Sequence, residues 1–249
     1  MEKSVKANSI PIRIVMLLCI FTGFIFEMKA ETKKREVLET KEIAPHVYSV
    51  NDTFVNIFLV QDNDNYVVID AGSNLAAISK ELEKLKINSD KVVALFLTHT
   101  HGDHIAAINL FKNATIYLSK QEIQTSTGEK PATLTLNNKN FINAYRLLED
   151  QQIVRVNNLK IQGIHTPGHT PGSMCYLIND NYLFVGDAFS LTGGKIDKPN
   201  EMYSKDMKTA IHSLAKIANL PKAEYIFTAH TGYSNDYKTA MTDWEKIKE

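Results

Sequence analysis

The most informative stretch of this chain for its fold is Thr98-His99-Thr100-His101-Gly102-Asp103-His104. The apolar run at 92–97 precedes it and is short enough, with adjacent valines, to predict a buried strand. Packing does not explain three imidazoles and one carboxylate so close together, because the imidazoles would repel one another once protonated. A metal cation binds neutral imidazole and carboxylate and holds them in one geometry. Since Gly102 permits a tight turn, the stretch predicts a metal site at the end of a strand.

Length and composition limit the classes of protein to which this chain can belong. The chain has 249 residues, 44% of them hydrophobic, which is enough to bury a sizeable core in one large domain or in two closely packed halves. Basic and acidic residues balance at 28 each. Because there is no basic excess and no stripe of Lys and Arg, we expect no nucleic-acid partner.

The N-terminus is predicted to be a targeting segment. Lys3, Lys6 and Arg13 precede an uncharged apolar run at 14–26, which is too short to span a bilayer as a comfortable helix. This pattern is typical of a secretory signal peptide, with an uncleaved N-terminal anchor as the alternative. We therefore expect residues 1–30 to be a signal peptide or anchor and residues 31–249 to form the folded domain. The protein would then be exported, as a periplasmic, extracellular or membrane-anchored protein outside the cytoplasm, with no other membrane contact.

The hydrophobic pattern of the remaining chain predicts two similar sets of elements. Strands of the first set are predicted at 47–50, 55–60, 66–70, 92–97 and 115–118, and its helices at 75–85 and 105–111. Strands of the second set are predicted at 153–156, 159–164, 174–178, 182–185 and 225–228, with a helix at 205–218. Ser73 or Asn74 would cap the first helix. The pattern predicts two layers packed face to face in one domain, with the helices outside.

Residues 119–150 interrupt this pattern. The segment is polar and contains Gly128, Pro131 and an Asn-rich run at 137–140, followed by a predicted short helix around 141–148. It is interpreted either as a solvated insertion or as a rim over the metal cleft that contacts substrate, because loops on a rigid scaffold usually carry specificity.

Three further candidate ligands follow strands of the second set. His169 lies in an HTPGHTPG run at 165–172, where two Pro-Gly steps predict a rigid loop. Asp187 follows the apolar run at 183–186, and His230 follows that at 226–229. Taken singly, each has an ordinary explanation as a turn, core or capping residue. Together, each of them ends an apolar strand, which is where a shared cleft would lie.

The order of these residues resembles the metallo-β-lactamase superfamily over roughly residues 40–235. The resemblance rests on seven candidate ligands in order, which are His99, His101, Asp103, His104, His169, Asp187 and His230. Asp70 before Ala71-Gly72 and the doubled HTPG run are also similar to that family. The resemblance implies an α/β fold, a four-layer αβ/βα sandwich of two mixed β-sheets with helices on the outer faces.

The same resemblance implies a ligand assignment. His99, His101 and His169 would bind one metal, Asp103, His104 and His230 would bind the second, and Asp187 would bridge the pair. Nitrogen and oxygen donors without thiolate suit zinc but also iron or manganese, and we expect two zinc ions.

The activity implied by the resemblance is metal-dependent hydrolysis of a small-molecule substrate. Bound metal lowers the pKa of water to about 7, so that a hydroxide bridging two ions would attack an ester, thioester, lactone or related bond. Asp103, near this nucleophile, would accept and return its proton, which makes it the predicted catalytic residue.

The identities of Asp187 and Ser190 give information about the class of substrate. The β-lactamases of this superfamily that use a cysteine ligand have that cysteine in place of Asp187, and a lysine three residues later binds the drug carboxylate. The aspartate is closer to the glyoxalase II and lactonase-like branches.

Three alternatives stay open: an exported β-lactamase-like amide hydrolase, a persulfide dioxygenase-like oxidoreductase with one iron held by two His and one Asp, and a non-catalytic metal-binding module.

Several residues are left outside the predicted ligand set. His46, His165 and His212 do not match it, and a structural loop contact is expected for His165. Tyr203 and Lys195 lie in the loop after Asp187, within reach of a substrate.

Overall fold

The computed structural model describes residues 37–123, 145–218, 220 and 223–247. The predicted leader at 1–30 lies outside these residues, as does the central part of the predicted insertion, 124–144. None of the helices within the described ranges combines the length and apolar character that are needed to cross a bilayer.

Strands from the first half of the chain form one mixed sheet, in which they lie in sequential order. They are β1 (Lys41–Ala44), β2 (Val47–Asp52), β3 (Val55–Asp62), β4 (Asn65–Ile69), β5 (Val92–Phe96), β6 (Thr115–Ser119) and β7 (Tyr145–Leu148). Strands β1 to β4 pair antiparallel, whereas β4 to β7 pair parallel. The carboxyl ends of β4, β5 and β6 therefore meet at one edge of the sheet.

Strands from the second half form a second mixed sheet, in the order β15-β14-β11-β10-β9-β8. They are β8 (Ile153–Val156), β9 (Leu159–His165), β10 (Met174–Ile178), β11 (Tyr182–Gly186), β14 (Tyr225–Thr228) and β15 (Tyr233–Ser234). Strand β10 is antiparallel to both β9 and β11, and β11 is parallel to β14. The carboxyl ends of β9, β11 and β14 consequently share one edge. A separate hairpin pairs β12 (Ser190–Thr192) with β13 (Lys195–Asp197).

Five α-helices connect these strands in the described part of the chain. They are α1 (Leu75–Leu85), α2 (Gly102–Ile105), α3 (Lys120–Ile123), α4 (Met207–Ile217) and α5 (Tyr237–Met241). Helix α1 has the predicted bounds because Ile78 and Leu82 bury one face and the Asn74 side chain accepts a hydrogen bond from Ala77 N at 3.1 Å. Of the two predicted caps, the structure uses Asn74. Helix α4 begins after Asp206, which caps Thr209 N at 3.0 Å.

The four-layer sandwich predicted from the sequence is confirmed. One buried cluster lies between the two sheets and combines side chains from both, such as Phe58 of β3 and Phe184 of β11, whose ring centroids are 5.5 Å apart. A second cluster joins the outer face of the first sheet to α1, and a third joins the outer face of the second sheet to α4 and α5. Each sheet is therefore covered by helices on one face and by the other sheet on its second face.

Two predicted helices are wrong. The helix predicted at 105–111 is instead α2, which begins earlier, followed by a 3₁₀ turn, Ile108–Leu110. The backbone N–H of Ala107 donates to Ala71 O at 3.1 Å, and that of Ala106 is shared with Gly72 O at 2.9 Å, so contacts from a distant loop compete with the helical ladder.

The second wrong helix is the one predicted around 141–148. Residues 141–144 lie outside the described residues, and Tyr145–Leu148 is strand β7, which pairs parallel with β6. A run this short has no periodicity that distinguishes a helix from a strand. Residues 145–148 form a strand because they pair with the edge of β6.

Candidate metal centre

The histidine-rich stretch leaves the carboxyl end of β5, and the Asp70 carboxylate at the end of β4 orients it. Asp70 accepts from Thr98 N at 2.8 Å, from Thr98 Oγ1 at 2.8 Å and from His104 Nδ1 at 2.9 Å. Since Thr98 uses its hydroxyl hydrogen on Asp70, its Oγ1 accepts from His99 Nδ1 at 3.1 Å. Asp70 thus places the hydrogens of His99 and His104 on Nδ1 and turns both Nε2 atoms towards the interior of the site.

The first group of candidate ligands consists of His99, His101 and His169. Their facing nitrogens form a triangle: His99 Nε2 lies 3.0 Å from His101 Nδ1, and His169 Nε2 lies 3.1 Å from His99 Nε2 and 3.0 Å from His101 Nδ1. Three such nitrogens cannot satisfy all three contacts by hydrogen bonds, because at least one contact would join two donors or two acceptors. Four ligands about 2.1 Å from a tetrahedral zinc ion lie about 3.4 Å from one another, which is close to the sides of this triangle, so the triangle suits one cation.

The second group consists of Asp103, His104 and His230. Asp103 Oδ2 lies 3.5 Å from His230 Nε2 and 3.8 Å from His104 Nε2. His230 Nδ1 donates to Phe54 O at 2.8 Å, which leaves its Nε2 facing the group. One ligand atom from each of these residues lies within 4.8 Å of the others.

Asp187 lies between the two groups. Its Oδ2 is 3.4 Å from His169 Nε2 of the first group, whereas its Oδ1 is 3.4 Å from His230 Nε2 and 3.6 Å from His104 Nε2 of the second. Each oxygen of one carboxylate therefore faces a different group.

Unpaired buried atoms mark the same place. His104 Nε2 and Asp187 Oδ1 are buried, and neither has a hydrogen-bond partner among the described residues. Burying such atoms unpaired is costly, whereas a cation between them would be bound by both. The donor set therefore fits metal ions.

The electrostatics of the first group also suit a metal. Burial, together with the nearby His104, lowers the pKa of His99 well below its ordinary value and lowers that of His101. Burial lowers the pKa of His169 to about 4. All three imidazoles are consequently neutral at pH 7, which is the form that binds a cation.

The second group holds charge of both signs. Burial opposes the charged form of His104, but the carboxylates of Asp70 and Asp187 outweigh it and raise its pKa to about 9. Burial likewise opposes the charged form of Asp187, but His104 and His230 lower its pKa well below the ordinary value. The carboxylates of Asp70 and Asp187 that raise this pKa would equally favour a metal cation in place of the His104 proton.

A cavity of about 440 Å³ opens over both groups. Its lining includes candidate ligands from both groups and, beyond them, Phe189, Ser190, Asn200, Tyr203 and Thr231. Tyr203, placed within reach of a substrate by the sequence, lines this cavity, whereas Lys195 is directed to Asp243, with Nζ 3.7 Å from Oδ2. Sequence reasoning missed Asn200 and Thr231, because neither belongs to a recognisable motif.

The other histidines lie outside the groups. His165 Nε2 contacts Pro171 O at 2.9 Å, which is the structural loop contact expected for it. His46 and His212 are exposed and belong to neither group.

Comparison with known proteins gives the family. A family model described as the metallo-beta-lactamase superfamily matches residues 50–230. A probable polyketide biosynthesis zinc-dependent hydrolase of Bacillus subtilis is 29% identical over 63% of this chain and 65% of its own length. A probable metallo-hydrolase of Methanocaldococcus jannaschii is 32% identical over 62% of this chain and 64% of its own. A hydroxyacylglutathione hydrolase of Salmonella paratyphi A is 31% identical over 74% and 64%. The chain thus spans slightly less than two thirds of these three relatives.

Solved structures show the same fold. The B3 metallo-beta-lactamase BLEG-1 is similar with a TM-score of 0.62 and 23% identity, over 82% of this chain and 100% of that one. The flavodiiron protein of Giardia intestinalis is similar with a TM-score of 0.63 and 17% identity, over 86% of this chain and 60% of that one. The matching model, the sandwich of two mixed sheets and these neighbours lead to one conclusion: the chain belongs to the metallo-beta-lactamase superfamily.

Proposed function

We propose that this protein is a hydrolase that binds two zinc ions, one in the first group of ligands and one in the second, with Asp187 between them. The position of Asp187 carries the proposal, because its two oxygens face different groups at 3.4 to 3.6 Å. Zinc is preferred because the donors are nitrogen and oxygen and because one relative bears the name zinc-dependent hydrolase.

The chemistry that bound zinc supplies in such sites is acidification of water and polarisation of a substrate carbonyl. The protein's own contribution is to hold the donors rigidly and to move a proton. Asp103 lines the cavity and its side chain is 28% exposed, so its carboxylate can reach both solvent and substrate. Asp103 accepts the proton of the attacking water and returns it to the leaving group, as a general base and then a general acid.

The cavity favours a small neutral substrate. Its volume of about 440 Å³ lies within the range of small-molecule sites. Ser190 lines the cavity, and no Lys or Arg does so among the residues that the structure describes. Apart from the proposed zinc ions, a substrate carboxylate would therefore meet no cationic side chain there, which supports a neutral ester, thioester or lactone over an anionic β-lactam drug.

The test is metal analysis combined with a panel of substrates. The metal content of the purified protein is measured as isolated and again after loading with zinc, and the protein is assayed with p-nitrophenyl esters, an acyl thioester, a lactone, bis-p-nitrophenyl phosphate, nitrocefin and a persulfide. We expect two zinc ions per chain and turnover of a neutral acyl substrate that a chelator abolishes and zinc restores.

Other outcomes would overturn the proposal. A chain that takes up no metal is not a metallohydrolase, and preferred turnover of nitrocefin would replace the proposed substrate with a β-lactam. A single iron with oxygen-dependent oxidation of a persulfide would make the protein an oxidoreductase.

We further propose that residues 1–30 direct export. The charged start and the apolar run at 14–26 support this. Cell fractionation and N-terminal sequencing of the expressed full chain test it. Recovery of the protein outside the cytoplasm is expected, and an uncut chain that stays in the cytoplasm contradicts it.

A further inference from the structure

Glu122 is a buried acidic side chain that the proposed hydrolysis does not use. It lies in α3, directly after the carboxyl end of β6, and is 3% exposed. A buried carboxylate is costly unless its oxygens accept hydrogen bonds or lie beside a positive charge. The partners of Glu122 therefore indicate what it does.

Among the described residues, the donors to the Glu122 carboxylate all lie in ligand-bearing loops. Its Oε1 accepts from Thr100 N at 2.9 Å and from Thr100 Oγ1 at 2.8 Å, and its Oε2 accepts from Thr170 Oγ1 at 2.7 Å. Ser173 supports this arrangement, since its Oγ accepts from Thr170 N at 2.9 Å and lies 2.8 Å from Thr170 Oγ1. Because the Thr170 hydroxyl donates to Glu122, the Ser173 hydroxyl donates to Thr170. The network requires a carboxylate that accepts on both oxygens.

These partners lie beside all three ligands of the first group. Thr100 stands between His99 and His101, and Thr170 directly follows His169. The two threonines belong to loops from different sheets, one after β5 and one after β9. A single carboxylate thus joins the two segments of backbone that carry the whole group.

The second loop also packs directly on α3. A Cβ added at Gly172 would collide with the backbone of Glu122, so glycine is needed for this close approach. Contacts of backbone and side chain therefore fix the distance between the loop and Glu122.

We propose that Glu122 is a positioning residue for the first metal: its carboxylate sets the separation of the two loops and thereby the affinity of His99, His101 and His169 for one ion. Its negative charge lies behind the group and further favours a cation there. The inference rests on the proposed zinc-binding function.

The first test is zinc affinity, measured on the full chain by competition with a chromophoric chelator. Glu122→Gln keeps the shape of the side chain but presents an amide NH₂ where the network needs an acceptor. We expect one zinc equivalent to bind about 10- to 100-fold more weakly, as is usual when a supporting residue of a metal ligand is lost, and the other to bind as in the wild type.

A matched pair at Thr170 separates the hydrogen bond from general damage. Thr170→Val removes the hydroxyl that donates to Glu122 at 2.7 Å, whereas Thr170→Ser keeps it. We expect the valine variant to weaken the same zinc equivalent and the serine variant to match the wild type. This pair also keeps the inference testable if Glu122→Gln fails to fold.

Asp52 provides the control for loss of a buried carboxylate elsewhere. It is buried, and it accepts from Ser73 N and Asn74 N at the start of α1, outside the first group. Asp52→Asn should lower the Tm of the metal-free protein while leaving the affinity of this zinc equivalent within about twofold.

The results separate the inference from the proposed function. Wild-type affinity in both Glu122→Gln and Thr170→Val would overturn the inference, as would an equal loss of zinc affinity in Asp52→Asn. A wild-type chain that binds no zinc would instead refute the proposed function, and the inference with it.

Discussion

Gly186, the residue before Asp187, determines where that carboxylate lies. Gly186 has a φ of 53°, in the left-handed region that favours glycine, and a Cβ there would lie 2.5 Å from Thr98 Oγ1. The end of β11 can therefore turn and approach the stretch that follows β5. Single residues of this kind set the geometry between the two groups.

Replacing Asp187 by alanine is expected to remove metal and hydrolysis together. Both groups lose a shared carboxylate, and His104 Nε2 and His230 Nε2 lose a negative neighbour at 3.6 and 3.4 Å. Zinc content and kcat on the best substrate are the measurements. Asp180→Asn, which removes the charge from an ion pair with Lys160 and tolerates the φ of 59° at this position, is the control and should leave both unchanged. Full turnover in Asp187→Ala would refute the assigned role.

Asp103→Asn tests the proposed role of Asp103 in proton transfer, with zinc occupancy measured in parallel because Asp103 is also a candidate ligand of the second group. The amide keeps the shape of the side chain but cannot accept a proton, so kcat should fall by about 10² to 10⁴ while the first group still binds zinc. An unchanged kcat at full zinc occupancy would show that another group moves the proton.

At the scale of elements, the hydrophobic pattern of the sequence predicts those segments whose structure depends on contacts between residues close together in the chain. Helix α1 follows from the spacing of Ile78 and Leu82 and from the Asn74 cap, all within a dozen residues. The candidate ligands could be found because they follow strands β5, β9, β11 and β14 along the chain, and the two sheets bring the ends of these strands together. Glu122 also follows a strand, β6, but it has no neighbouring motif in sequence and its partners lie 22 and 48 residues away. Distant contacts of this kind also shorten α2.

Asp150 links three elements, and its contribution should depend on pH. It follows β7, accepts from His165 N at 2.8 Å at the end of β9, and pairs with Lys216 Nζ of α4 at 2.8 Å. Burial acts to raise the pKa of Asp150, but the Lys216 and His165 hydrogen bonds outweigh it and lower the pKa below its ordinary value. Because the folded-state pKa is depressed, its stabilisation is present above the unfolded value of about 3.9 and is lost as the pH falls through the folded value.

Asp150→Asn should therefore lower the free energy of unfolding by about 0.5 to 1 kcal/mol at pH 7, since the pair is partly exposed, and by progressively less below pH 4. Urea unfolding across this pH range is the measurement. Glu149→Gln is the matched control, because Glu149 lies 3.4 Å from Lys120 in a more exposed pair and should contribute nothing measurable. If Asp150→Asn lowers the free energy of unfolding by the same amount at every pH, the proposed contribution of the Asp150 charge is contradicted.

At the scale of the whole molecule, the candidate site joins the two sheets. The first group takes His99 and His101 from the first half of the chain and His169 from the second, while His104 contacts both Asp70 of the first half and Asp187 of the second. Metal binding and tertiary structure should consequently stabilise each other.

Zinc should therefore raise the Tm. At a free concentration of about 1,000 times Kd, one bound ion adds about 4 kcal/mol, which corresponds to about 8 to 16 °C for a domain of this size. Thermal unfolding followed by circular dichroism, with zinc and with a chelator, measures the shift. Asp187→Ala should abolish most of it, and a Tm that does not respond to zinc would contradict the coupling.

The clean division of the chain between the sheets has a practical consequence. The first sheet ends with Leu148 and the second begins with Ile153, so that residues 149–152 alone connect them. A polypeptide opened within this turn would yield two fragments, each with an incomplete donor set. Zinc uptake would then report docking of the fragments, which makes this turn the natural place to build a split-protein complementation sensor.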